Sequence, residues 1–370
     1  MTGRLPPLLL AAVLAAAAPA CGQAPPADAA AAGGHAVVLL YHHVADDTPP
    51  STSVTPDVFD AHLDYLDSNG YQVIALSRLI DALADGGNAQ SLPEKAVAIT
   101  FDDAYASVYH QAAARLEQHG YPYAVFVSTD YIDQGLGNYM TWQQLRDLET
   151  RGAEIANHSR DHGHYVHRPT GESRAEWRAR IKADIESAQQ RLEDELHAPL
   201  EVIAYPYGEF NPALQTLTRE LGMVGFGQQS GPVGSASDLQ ALPRFPMAAG
   251  FAELDSLAEK LRTRPFQVTV LSDDDPVLAH DAPAPTLRVK LKADTARLEA
   301  LSCFVTGQDA PQLEWVDADA GILEVTARRP LPAGRSKYTC TAPSTEGSGI
   351  FHWYSHLWMK PPGPGSWYSD

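Results

Sequence analysis

Short apolar runs alternate with stretches of helical period from Val37 to about Leu261, and most runs break off at polar residues. Val37–Tyr41 reads as a strand ending at His42 and His43. Thr55 and Pro56 offer an N-cap and a favoured first helical position, Phe59, Leu63 and Leu66 carry the helix, and Gly70 closes it. Tyr71–Ile74 is a short strand, Ser77 is placed to cap a helix over Leu79–Leu83, and a polar loop leads to the run that starts at Ala96 and breaks at Asp102 and Asp103. The unit then repeats: helix Tyr105–His119, strand Tyr123–Val127, a helix from Thr141 to Arg151, strand Glu154–Ala156, and a long charged helix from Ser173 to about Glu195. Strand Val202–Ala204, a helix opened by Asn211 and Pro212, strand Met223–Phe226, strand Ala241–Phe245 and helix Ala252–Leu261 complete the series. About seven such alternations predict an α/β fold, a distorted (β/α) barrel built on a parallel sheet.

From about Val268 the pattern changes to period-two alternation, as in Leu287–Leu291, broken by Pro, Gly and Asp. That predicts a small antiparallel β-sandwich over residues 267–370, after an α/β domain over 36–266. Cys303, Trp315 and Tyr338, two residues before Cys340, are similar to the immunoglobulin core pattern, but 340 − 303 = 37 positions is short for that fold. Only a sandwich is expected. At the other end, Arg4 precedes an apolar stretch from Leu8 to Ala18, too short to span a bilayer, which needs about 20 residues. Residues 1–20 therefore read as a signal peptide and 21–35, rich in Ala and Pro, as a flexible tether. Cys21 makes the segment resemble a bacterial lipoprotein signal, which places the protein in the cell envelope on a lipid anchor. Ala18 departs from that pattern, and secretion with a free Cys21 is the alternative.

Composition narrows the partners. A formal charge of -19 excludes a nucleic-acid partner, whose phosphates need a basic surface. In an oxidising compartment Cys303 and Cys340 are expected to form a disulfide. No Gly-x-Ser-x-Gly stretch marks a serine hydrolase, and Gly225-Phe-Gly227 precedes no helix, so it is a turn.

The chemistry sits where strands end. Asp102 and Asp103 repel each other, so two ionised acids in a cleft need a cation or strong donors nearby. His158 and His162, four apart after another predicted strand, face the same mouth. Two imidazoles and one carboxylate with open positions form a catalytic metal set, and zinc is the simplest ion for it. The remaining acid is then free to take a proton from water that the ion acidifies.

Thr100-Phe-Asp-Asp103 and His158-Ser-Arg-Asp-His162 resemble the first two motifs of the polysaccharide deacetylases, the NodB-homology carbohydrate esterases, and Ala204-Tyr-Pro-Tyr-Gly208 resembles the third. The resemblance implies Asp102 as general base, Asp103, His158 and His162 as metal ligands, and Tyr207 as the residue whose backbone N–H stabilises the oxyanion. Ala204 stands where many members have an arginine that orients the base; Arg244, in Leu242-Pro-Arg-Phe-Pro-Met247, is the candidate replacement. With Tyr41-His-His-Val44, the chain is most similar to the poly-N-acetylglucosamine deacetylases of bacterial biofilm systems. That implies a metal-dependent de-N-acetylase of a poly-β-1,6-N-acetylglucosamine chain, with peptidoglycan or chitin-like chains, or a non-catalytic glycan-binding or docking protein, as alternatives.

The general acid stays open. Leu278-Ala-His280 matches the family's late Leu-x-His letters but lies in a Pro- and Asp-rich linker, which makes it a coincidence of letters; His42, His43 and His164 are the other candidates. The aromatic-rich Phe351–Met359 reads as core, and the C-terminal domain as a place where an envelope protein partner would dock.

Overall fold

The computed structural model describes residues 1–2, 34–84, 87–272, 275–292 and 294–367; the expected leader, Cys21 and most of the tether lie outside the described residues. Among the described residues no helix is long and apolar enough to cross a membrane.

The main sheet has the strand order Val233–Gly234, His35–Tyr41, Ala96–Phe101, Ala124–Val127, Glu154–Asn157, Leu200–Ala204, Val224–Phe226. Gln72–Val73 is added beside Ala96–Phe101, and Phe245–Pro246 beside His35–Tyr41. Every pairing is parallel except that of Val233–Gly234. All six residues of Ala96–Phe101 are buried, which is why the run shows no alternation: helices cover one face and packed side chains fill the other. The two ends of the sheet are bridged, because Leu242 pairs with Phe226 and Phe245 pairs with Leu39. This is the barrel-like closure that the alternation predicts. The expected strand Ala241–Phe245 is nevertheless reduced to Phe245–Pro246, since Pro243 and Pro246 lack the N–H that a longer ladder requires.

Helix starts follow the local chemistry. Thr55 accepts from the Val58 N–H, Asn211 from that of Leu214, and Thr141 and Ser173 form capping boxes with Gln144 and Glu176. Ser77 departs from expectation. The helix Leu76–Leu83 starts one residue before it, and the N–H groups of Leu76 and Ser77 are taken by the Glu154 carboxylate, which comes from a strand 78 positions away. A tertiary cap has replaced a local one. The helix expected over Tyr105–His119 opens with a π-type turn at Val108–Ala112, and the last one is Leu254–Lys260 behind a 3₁₀ turn.

Two four-stranded sheets form the C-terminal sandwich. One has the order Thr263–Pro265, Phe351–Lys360, Gly334–Pro343, Ser302–Val305; the other has Val268–Val270, Thr286–Leu291, Ile322–Thr326, Gln312–Asp317. Cys303 and Cys340 are disulfide-bonded as expected. They are opposite residues on neighbouring strands of one sheet, so the bond staples two strands and does not cross the core. Trp315 lies on an edge strand whose six residues are all exposed. The immunoglobulin-like core reading therefore does not hold. Tyr338 takes over the tie between sheets: its buried hydroxyl donates to the Pro285 carbonyl at 2.7 Å and accepts from the Ala327 N–H at 3.1 Å.

Candidate active site

The carboxyl ends of the parallel strands bring three loop segments together, 102–104, 157–162 and 204–209. Their backbones are strained. Among the described residues eight non-glycine positions take positive φ, and five of them, Asp103, Ala104, Ser159, His162 and Tyr207, lie in these segments. Such conformations persist only where the surroundings over-determine them, and they cluster at working sites.

Asp102 extends the ladder of its strand, its N–H donating to Tyr41 at 2.9 Å, and is fully buried. Arg244 meets it with two parallel bonds, Nη1 to Oδ1 at 2.7 Å and Nη2 to Oδ2 at 2.8 Å. The guanidinium is itself fully buried, held by the Gly227 carbonyl at 3.0 Å and packed near the rings of Phe126 and Phe226. Arg244 reaches this position because segment 242–246 bridges the two ends of the sheet. Burial alone would raise the pKa of Asp102, but the charge and hydrogen bonds of Arg244, with His158, outweigh it and leave the carboxyl below its ordinary range.

Asp103 turns away on a left-handed backbone toward the two histidines. Its Oδ1 lies 3.3 Å from His158 Nε2 and 3.3 Å from His162 Nε2. Desolvation pushes Asp103 up, yet His158, His42 and His162 hold it well below the usual carboxylate range. His158 is fully buried, and its Nδ1 donates to the Ala204 carbonyl at 2.7 Å, which turns the Nε2 lone pair toward the acids. Burial lowers the pKa of His158, and the two aspartates more than reverse it: the field here favours positive charge. His162 is aimed by a relay in which its N–H donates to Ser159 Oγ at 2.8 Å while the Ser159 N–H donates to Asn157 Oδ1 at 2.8 Å. Asn157 is fully buried and also bonds the Ile185 carbonyl, so it is a scaffold residue.

These three side chains fit a metal ion. Ligand atoms about 2.0–2.1 Å from a tetrahedral ion lie roughly 3.4 Å apart, close to the 3.3 Å from Asp103 Oδ1 to each imidazole nitrogen. Asp103 Oδ1 and His158 Nε2 are moreover buried atoms with no hydrogen-bonding partner among the described residues, as expected of groups made for an ion.

Tyr207 follows the next strand end, with φ 58° and ψ 5°, its ring 4.4 Å from that of His162 and stacked on that of His164 at 4.1 Å. Gly208 could not be replaced there: a Cβ would lie 2.5 Å from the Gln228 backbone nitrogen, on a φ of 70°. Of the histidines considered as proton donor, His42 stands one step beyond the Tyr41↔Phe101 pair, level with Asp102. His43 is stacked on Tyr105 and shares Ser107, while His164 Nδ1 is bonded to buried Glu209 at 2.8 Å. His280 lies 3.8 Å from Asp281, on a segment that pairs with the sandwich strand Phe351–Lys360 through Val277 and Met359. Sequence reasoning missed Glu209 and Arg335, whose carboxylate–guanidinium bond spans 126 positions. No local pattern marks such a pair.

Fold and site together define the class: a barrel-type α/β protein with a candidate metal centre at the carboxyl ends of its strands. Residues 89–226 match the family described as polysaccharide deacetylase. The chain is similar to the poly-β-1,6-N-acetyl-D-glucosamine N-deacetylase of Escherichia coli K12, 26% identical over 250 residues that cover 57% of this chain and 36% of that protein. It thus spans about a third of that relative's length. Among solved structures it is similar to a de-N-acetylase from Aggregatibacter actinomycetemcomitans, with TM-score 0.55, 24% identity, and coverage of 61% of this chain and 99% of that one. IcaB from Ammonifex degensii gives TM-score 0.53 at 23% identity, covering 62% and 97%. At these identities the structural likenesses establish the fold.

Proposed function

We propose that the chain is a metal-dependent de-N-acetylase of an N-acetylglucosamine polymer, with poly-β-1,6-N-acetylglucosamine as its first substrate to test. The observation that carries this is the division between two adjacent acids: Asp103 converges with His158 and His162, while Asp102 is clamped by Arg244. The relatives' names and the family match support the choice of substrate.

Asp103, His158 and His162 would hold the ion, and their mixed nitrogen and oxygen donors suit Zn²⁺. When bound, it supplies Lewis-acid polarisation and makes water acidic enough to attack an amide near neutral pH. Asp102 accepts the proton of the attacking water. Arg244 occupies one direction on each Asp102 oxygen, and Oδ2, 3.9 Å from His158 Nε2, faces the ligand cluster with capacity left for that proton. The water oxygen bonds the acetamide carbonyl carbon, and the Tyr207 backbone N–H donates to the developing oxyanion. His42 gives a proton to the nitrogen as the C–N bond breaks, so acetate and the free amine leave. The position of His42 level with Asp102 supports this role, whereas His164 is tied to Glu209. Export to the cell envelope, with Cys21 as the lipid anchor, belongs to the same reading. The Cys303–Cys340 bond and the apolar Leu8–Ala18 stretch support it.

The test is acetate release from N-acetylglucosamine oligomers of several linkages. Metal-loaded protein is expected to release acetate from β-1,6-linked oligomers and to stop when chelated; binding without release would leave a glycan-binding protein in place of the enzyme. His42→Ala is expected to lower kcat by about 10²–10⁴-fold, the usual worth of a positioned proton donor, with bound metal unchanged. Wild-type kcat in that variant would assign the proton to another group.

A further inference from the structure

Arg335 belongs to the C-terminal sandwich, on strand Gly334–Pro343, and yet its guanidinium meets the segment that carries Tyr207. Period-two alternation explains its direction. Ser336, Tyr338, Cys340 and Ala342 are buried within the sandwich, so Arg335, Lys337 and Thr339 emerge on the opposite face. That face is seated against the barrel. Lys337 Nζ donates to the Gln228 carbonyl at 2.6 Å, and Ser355 Oγ lies 2.8 Å from Ser230 Oγ and 2.9 Å from Thr339 Oγ1.

Arg335 Nη1 donates to Glu209 Oε1 at 2.9 Å, and its guanidinium carbon lies 5.1 Å from the centroid of the Tyr207 ring. The second oxygen of Glu209 takes His164 Nδ1 at 2.8 Å, and His164 in turn stacks on Tyr207. Tyr207, His164, Glu209 and Arg335 therefore close a ring of contacts, with a fully buried carboxylate at its base. Such a ring suits a residue that needs holding. Tyr207 sits in the left-handed region at φ 58°, which costs energy without support. Glu209 cannot supply it alone, because a buried carboxylate needs cationic or donating partners to stay in place.

We propose that Arg335 is a positioning residue for the reaction: through Glu209, His164 and the Tyr207 ring, the C-terminal sandwich holds the Tyr207 backbone in the orientation from which its N–H serves the oxyanion. The proposal rests on the de-N-acetylase reading for what Tyr207 does, and on the contact ring alone for how Tyr207 is held. The appended domain is then part of the site.

Two measurements on the full chain test it, with Arg335→Met, which keeps the length of the stem without the charge, and Arg335→Lys, which restores the charge. The first is amide hydrogen exchange over residues 205–210. Arg335→Met is expected to exchange there about 10-fold faster than wild type, Arg335→Lys close to wild type, and residues 338–342 of the sandwich unchanged in both. The second is steady-state kinetics of acetate release. Arg335→Met is expected to lower kcat about 10-fold, part of what a lost oxyanion donor costs, with KM within about 2-fold and with substantial recovery in Arg335→Lys. Unchanged exchange over 205–210 overturns the proposal, as does faster exchange throughout the sandwich, which would mark general loosening. In a wild type that releases acetate, an unchanged kcat or an effect confined to KM overturns it as well. Should the wild type release none, the de-N-acetylase reading fails while the exchange result alone decides whether Arg335 positions Tyr207.

Discussion

His162→Ala is expected to strip the bound metal and to lower acetate release by about 10³-fold or more, the several kcal/mol that a Lewis acid contributes at roughly 1.4 kcal/mol per factor of ten. His162 is the proposed ligand to change because it is the least embedded of the three. Its side chain keeps 12% exposure, whereas those of His158 and Asp103 keep 1% and 10% and sit among the buried strand ends. Removing His162 leaves two donors, and two do not make a site of useful affinity. The Asn157–Ser159 relay bonds the His162 backbone, so the loop should keep its course without the imidazole. Metal content by elemental analysis and acetate release are the readouts. Full metal with full activity would place the ion elsewhere.

The second large effect concerns Arg244. Arg244→Met is expected to cost about 3–5 kcal/mol of stability at neutral pH, because it leaves Asp102 charged and buried without its partner. It is also expected to reduce kcat, since Asp102 loses the guanidinium that fixes its orientation and lowers its pKa. The pH dependence follows from the sign of the shift. In the wild type Asp102 has a pKa below its ordinary value, so the stability it contributes is present above that ordinary value and is lost as pH falls through the lower, folded one. Without Arg244 burial is expected to prevail over the remaining pull of His158 and His42 and to take the folded pKa above the ordinary value. The variant should then be relatively most stable in acid and lose stability as pH climbs from the ordinary aspartate value toward the raised one. Urea unfolding at a series of pH values reads this directly. Parallel curves for wild type and variant would mean that Arg244 is not what keeps Asp102 ionised.

How much of this was legible in the chain depends on distance along it. Asp102, Asp103, His158 and His162 stand out because strand ends and an i, i+4 pair are local patterns, and the structure brings all four side chains to one place. Arg244 is 142 positions from Asp102, and only the absence of an arginine at Ala204 drew attention to it. The parallel sheet was readable from apolar runs, but its last strand was overestimated because Pro243 and Pro246 cut the ladder. Ser77 was misread as a cap because nothing local points to Glu154. The cysteine pair was readable as a bond, but not as a staple within one sheet, since register is not encoded in spacing. Arg335 and Glu209 were beyond reach, because one lies on an ordinary alternating strand and the other follows a turn, and only the docking of two sheets joins them.

The central claim is that two adjacent acids of the same strand end divide the work, Asp103 holding the ion and Asp102 moving the proton. Its most direct test measures bound metal and acetate release side by side in Asp102→Asn and Asp103→Asn. Asp102→Asn is expected to keep its metal and lose acetate release, and Asp103→Asn to lose both. Metal lost in Asp102→Asn and retained in Asp103→Asn would contradict it.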